Sequence, residues 1–94
     1  MILHTVAFRL KNPAEEKGFM NEAVKLAAIP GVLNFECLRQ IGKKNNFDLG
    51  LSMEFATAEE YKSYCDHPDH VAFVEKVWIP NVEEFMEIDY EKFS

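Results

Sequence analysis

The chain is predicted to fold as an α+β domain of order β-α-β-β-α-β, a split βαβ arrangement in which four antiparallel strands carry both helices on one face. Three observations predict it: strict apolar alternation from Phe47 to Phe55, helix-start signals at Asn12 and Thr57, and a β-favouring alternation at each end of the sequence. At 94 residues the chain lies below the roughly 100–150 residues commonest for a domain. One domain over residues 1–94 is expected, without a separate cofactor lobe.

Each element follows from local chemistry. Residues 2–10 set Ile2, His4, Val6, Phe8 and Leu10 on one parity and Leu3, Thr5, Ala7 and Arg9 on the other, the pattern of a strand with one apolar face. Asn12-Pro13-Ala14-Glu15 supplies an N-cap, a proline whose missing N–H costs nothing at the first helical position, and a carboxylate three residues after the cap. The helix that starts there carries Phe19, Met20, Ala23, Val24, Ala27 and Ala28 as one stripe, and Ile29-Pro30-Gly31 stops it. Val32–Ile41 reads as a second strand with Leu33, Phe35, Cys37 and Ile41 on one parity, and Gly42–Asn46 as a hairpin loop. Phe47, Leu49, Leu51, Met53 and Phe55 form the third strand. Thr57-Ala58-Glu59-Glu60 is a capping box that opens a second helix, with Tyr61, Tyr64 and Cys65 directed inward. That helix breaks near Asp66-His67-Pro68, and Val71, Val74, Val77 and Trp78 continue its apolar stripe up to Pro80. A closing strand over Phe85–Tyr90 places Met86, Ile88 and Tyr90 on one side and Glu87 and Asp89 on the other.

The sheet face away from the helices lacks a cover. It carries Leu3, Thr5, Ala7, Gly50 and Ser52 among Arg9, Asp48 and Glu54, and small side chains let a second sheet approach closely. A homodimer through this face is expected.

Composition narrows the partners. Lys+Arg 10 against Asp+Glu 16 gives −6, and an acidic chain repels phosphate backbones, so nucleic acid is not an expected partner. No apolar run reaches the roughly 18–20 residues that span a bilayer, and Met1-Ile2-Leu3-His4 does not open as a secretory leader. No membrane partner and a cytoplasmic location are expected. Cys37 and Cys65 show neither zinc-ribbon nor C-x-x-C spacing and read as reduced core thiols.

Chemistry concentrates in Tyr64-Cys65-Asp66-His67-Pro68-Asp69-His70. A phenol and an imidazole at opposite ends of one pocket could polarise a carbonyl and remove a neighbouring proton. The plainer reading has His67 capping the new helical turn and His70 at a solvated rim. His4, on the apolar parity of the first strand, is either a core imidazole satisfied by a backbone or tyrosine oxygen or a polar anchor in a pocket. Phe19, Phe73, Trp78 and Met53 are core packing or cavity wall. His4, Asp66, His67, Asp69 and His70 hold no spacing that fixes a metal site, so no metal and no cofactor are expected. Glu83, Glu84 and Glu87 read as a solvated edge.

Taken together, these segments resemble the stress-responsive dimeric α/β-barrel (Dabb) domain family. The likeness rests on Ile2–Leu10, on Ile29-Pro30-Gly31-Val32-Leu33, on Tyr64–Val74 with its H-P-x-H element, and on the terminal Asp89-Tyr90. It implies a ferredoxin-like sandwich that dimerises into a barrel. Members of the family include stress-associated proteins and polyketide cyclases. The cyclases' catalytic tyrosine and second histidine match Tyr64 and His70, and their pocket positions match His4, Val6 and Phe8. With Phe19, Leu51, Phe73 and Val74, these are the candidate ligand-binding residues. The resemblance implies an apolar or phenolic small-molecule ligand and cofactor-free cyclase- or isomerase-like chemistry. Val74 and Glu22 depart from the cyclase pattern and imply a smaller or differently shaped pocket. The alternatives are a non-enzymatic stress-response or assembly protein and, from more distant relatives, a haem-binding or cofactor-independent oxygenase.

Overall fold

The computed structural model describes residues 1–94. In chain order the main elements are β1 (Ile2–Leu10), α1 (Glu16–Ala23), β2 (Leu33–Arg39), β3 (Leu49–Phe55), α2 (Ala58–Asp66), α3 (Pro68–Phe73) and β4 (Val82–Glu91). The strands form one antiparallel sheet in the order β2-β3-β1-β4, with both βαβ crossovers on the same face. No helix is long and apolar enough to cross a membrane.

The helix starts are built by their caps. Asn12 Oδ1 accepts from the Ala14 N–H at 3.0 Å, and Pro13 opens a tight turn that leads into α1. Thr57 Oγ1 accepts from the Glu60 N–H at 3.1 Å at the start of α2. His67 ends α2 and starts α3: its Nδ1 accepts from the Asp69 N–H at 3.1 Å while Pro68 takes the first helical position. This capping is the plainer role expected of His67. After α3 the chain widens into a π turn over Val74–Trp78, and a last short turn, Ile79–Asn81, hands over to β4.

The core lies between sheet and helices. Val6, Phe8 and Leu10 of β1 and Leu49, Leu51, Met53 and Phe55 of β3 meet Phe19, Ala23, Leu26, Tyr64 and Phe73 from above. Burial of a large apolar side chain stabilises by about 1.5–3 kcal/mol, and Phe8, wholly enclosed at 0% exposure, is among the best placed to deliver it.

Several expectations change. A bulge between Leu33 and Glu36, with Asn34 at φ 51°, breaks the parity of β2, so Leu33 pairs with Glu54 on the uncovered face instead of joining Phe35 and Cys37. β2 ends at Arg39 and β3 begins at Leu49, because Gln40 turns its side chain back to Asn45 and Phe47 and leaves Ile41 98% exposed. Cys37 and Cys65 are exposed, not core thiols.

β4 begins at Val82 and its alternation sorts two surfaces. Phe85, Glu87 and Asp89 stand opposite Phe8, Val6 and His4 and share their helix-side face. Met86, Ile88 and Tyr90 stand opposite Ala7, Thr5 and Leu3 and extend the uncovered face, where Leu33 and Leu38 are also exposed.

Candidate functional site

Beneath α3 and the π turn, a cleft of about 370 Å³ opens between the helix layer and the sheet. Its floor is His4 and Val6 of β1 with Leu51 and Met53 of β3; its roof is Tyr64, His70, Phe73, Val74, Trp78 and Ile79; Phe85 and Glu87 form the β4 wall. Most of this lining is apolar, which suits a small organic molecule, and the polar groups are few and convergent. π turns of this kind recur beside functional sites because the extra residue displaces side chains from ordinary helical positions.

The histidine after the kink is held in one tautomer. Its Nδ1 lies 3.0 Å from the Cys65 carbonyl oxygen, which can only accept, so Nδ1 carries the proton and Nε2 keeps a lone pair. Burial lowers the His70 pKa below its ordinary value of 6.5, with the Cys65 hydrogen bond opposing that effect. The ring is therefore a neutral acceptor at pH 7. Tyr64 is 2% exposed and its ring centroid lies 4.4 Å from that of His70. Burial, then the neighbouring Cys65 and Glu87, push the phenol above its ordinary range and keep it a donor. Its hydroxyl has no hydrogen-bond partner in the chain, unlike that of Tyr61.

His4 is the polar anchor of the floor, 8% exposed. Its Nδ1 donates to Asp89 Oδ1 at 2.5 Å and lies 3.1 Å from the Tyr61 hydroxyl oxygen, while that hydroxyl donates to Asp89 Oδ2 at 2.8 Å. The partner of His4 is thus a carboxylate as well as a tyrosine, and its Nε2 is left for the cleft. His4, Glu87 and Asp89 offer ligand atoms within 4.8 Å of one another. As a metal site the group fits poorly, because His4 Nδ1 and both Asp89 oxygens are already engaged.

The cleft brings together His4, Val6, Leu51, Tyr64, His70, Phe73 and Val74. Phe8 and Phe19 lie outside its lining: Phe8 packs 5.1 Å from Phe19 and 5.0 Å from Trp78, behind the cleft wall. Both are buried core residues, and Phe19 packs against Phe73 and Trp78, which do line the cleft. Glu22 also lies elsewhere, paired with Lys25 at 3.0 Å on the outer surface. Glu87 is exposed, as a solvated edge implies, and lines the rim of the cleft, while Glu83 and Glu84 pair with Arg9. Tyr61 and Asp89 are supporting residues that the sequence singled out, as an inward tyrosine and as part of the terminal Asp89-Tyr90, without giving them a role at the site. The signal for Asp89 was the alternation Phe85, Glu87, Asp89, legible once paired in register against β1.

Comparison with known proteins follows the same lines. The family model described as the Stress responsive A/B Barrel Domain (Dabb) matches residues 2–92. The chain is 28% identical over 95 residues to a stress-response A/B barrel domain-containing protein of Arabidopsis thaliana, covering 96% of this chain and 36% of that protein. It thus spans about a third of that relative's length. A Dabb family protein with a ferredoxin-like fold from Mesorhizobium loti is 52% identical, with a TM-score of 0.95 over 99% of this chain and 97% of that one. A dimeric ferredoxin-like protein of unknown function from Thermobifida fusca is 24% identical, with a TM-score of 0.82 over 97% and 90%. The hydroxynitrile lyase of Passiflora edulis is 16% identical, with a TM-score of 0.85 over 99% and 96%, a likeness of fold alone.

Proposed function

Because the chain belongs to the stress-responsive A/B barrel domain family, with its ferredoxin-like fold, we propose that it acts as a homodimer holding a small apolar or phenolic molecule in the cleft beneath α3. There it carries out cofactor-free acid–base chemistry. The observation that carries the reading is the fixed tautomer of His70, which lines the cleft together with Tyr64, a largely buried residue whose hydroxyl has no partner in the chain.

The chemistry follows from those two groups. His70 Nε2 takes a proton from carbon next to a ligand carbonyl: the C–H bond breaks, an N–H bond forms, and the electron pair moves to the carbonyl oxygen. Tyr64 donates a hydrogen bond to that oxygen as its charge grows. The Cys65 carbonyl, already accepting from Nδ1–H, stabilises the imidazolium, which then returns its proton to a different atom of the ligand. His4, oriented by Asp89 and Tyr61, positions the ligand from below.

Self-association is supported by the exposed Leu3, Leu38, Met86, Ile88 and Tyr90 on the uncovered sheet and by the dimeric relative from Thermobifida fusca. A reducing cytoplasmic setting agrees with two free, exposed thiols.

The test is deuterium exchange at the activated carbon of a small neutral β-diketone, followed by NMR. The wild-type chain is expected to accelerate exchange, His70→Gln to lose about 10²–10⁴-fold, and Tyr64→Phe about 10²-fold, with both variants folded. Wild-type exchange no faster than in buffer, or exchange indifferent to His70→Gln, removes the catalytic reading.

A further inference from the structure

The polar groups of the cleft differ in sign from those of a site built for anions. No lysine or arginine lines it. Among the carboxylates of β4, Glu83 and Glu84 answer Arg9, and Asp89 answers His4 and Tyr61. Glu87, between them in sequence, stands in the cleft wall with no partner, its carboxylate within 4.8 Å of ligand atoms of His4 and Asp89. Tyr64 supplies the second, independent sign of a ligand: a side chain 2% exposed that lines the same cleft, near enough to Glu87 to feel its charge, with a hydroxyl bonded to nothing in the chain.

We propose that the carbonyl ligand of this cleft also carries an aryl ring and an ammonium, the ring among Phe73, Val74, Trp78 and Phe85 and the ammonium against Glu87, and that aromatic carboxylates are excluded. This rests on the reading of the cleft as a ligand site and adds the charge class of what fills it. An ammonium meets a carboxylate that has no partner in the chain, at the exposed rim of the cleft, where a charge-assisted hydrogen bond adds to the burial of the ring. An aromatic carboxylate in the same pose sets like charges side by side and has no cation to answer it. Glu87 also adds to the effect of burial in holding the Tyr64 and Tyr61 phenols above their ordinary range, so its charge is felt at both.

The experiment is an NMR titration of the full chain with phenethylamine, 2-phenylethanol and 3-phenylpropionate, which share a ring and a two-carbon linker. The amine is expected to bind at least about 10-fold tighter than the alcohol, and the carboxylate not measurably. Glu87→Gln is expected to erase the amine–alcohol difference while leaving the alcohol Kd within about 2-fold, since Glu87 is exposed and unpaired and its loss leaves the fold intact. Alcohol binding without an amine preference, carboxylate binding as tight as amine, or a preference that survives Glu87→Gln overturns the charge assignment while the cleft stands as a ligand site. Failure of all three compounds to shift His70 or Tyr64 resonances overturns both.

Discussion

Tyr61 and Tyr64 stand one helical turn apart on α2, yet the structure gives them opposite tasks, and removing each hydroxyl separates the two. Tyr61 donates to Asp89 Oδ2 at 2.8 Å and lies 3.1 Å from His4 Nδ1, so Tyr61→Phe deletes a donor to a carboxylate and loosens the clasp on His4. Hydrogen bonds to charged groups contribute about 1.5–3 kcal/mol, and the partial exposure of Asp89 argues for the lower part of that range. Tyr64→Phe deletes a hydroxyl with no protein partner, so its cost is expected within about 0.5 kcal/mol. In urea, with a slope of about 1 kcal/mol/M for a chain of this size, the Tyr61→Phe midpoint should fall by about 1.5–2 M and the Tyr64→Phe midpoint by less than about 0.5 M. Ligand affinity should move the other way, with Tyr64→Phe weakening a carbonyl ligand by about 10-fold. Equal losses of stability, or a Tyr64→Phe variant that unfolds more readily than Tyr61→Phe, would refute the division of labour.

Three further outcomes are expected. His67→Ala should cost about 0.5–2 kcal/mol through loss of the α3 cap, measured by thermal melting, while proton exchange stays near wild type; a loss comparable to that of His70→Gln would place His67 in the chemistry. The lowered His70 pKa fixes a pH dependence. The folded chain resists protonation that the unfolded chain accepts near pH 6.5, so the stabilising contribution is present above 6.5 and is lost as pH falls through 6.5 toward the folded value. The rate of exchange should accordingly rise with pH along a limb whose midpoint lies below 6.5, and a midpoint above 6.5 in the free protein contradicts the burial argument. Ile88→Lys, on the uncovered face opposite Thr5, should shift the sedimentation mass from twice 10.9 kDa toward 10.9 kDa, whereas a dimer unchanged at micromolar concentration assigns self-association to another surface.

The sheet and its order were legible because β1 and β3 keep a strict alternation, and no competing signal interrupts it. What escaped was any feature that depends on how one strand lies against another. The β2 bulge at Asn34 inverts Leu33 without leaving a proline or glycine at that residue to announce it. The turn around Gln40 is closed by a side-chain amide, so Ile41 and Phe47 read as strand although neither has a ladder partner. In the cleft, Tyr64 and His70 could be paired from spacing across the kink, because Pro68 fixes the geometry of that turn. Phe8 and Phe19 could not be sorted from Phe73 and Val74, since apolar periodicity assigns a face and not a depth. Asp89 and Glu87 received no role for a different reason: acidic residues near the end of a sequence look hydrated, and both do stay exposed, so only the register against His4 and Val6 shows that they border the site.

β4 presents neighbouring residues to two different readers: Ile88 to whatever covers the sheet, Glu87 to whatever enters beneath the helices. A peptide plane shared in this way cannot tilt for one without tilting for the other. Wherever such a tilt accompanies pairing of two copies, occupancy and pairing strengthen or weaken each other by the same factor, and a solution of the free chain diluted below its pairing threshold will report a different ligand affinity from a concentrated one.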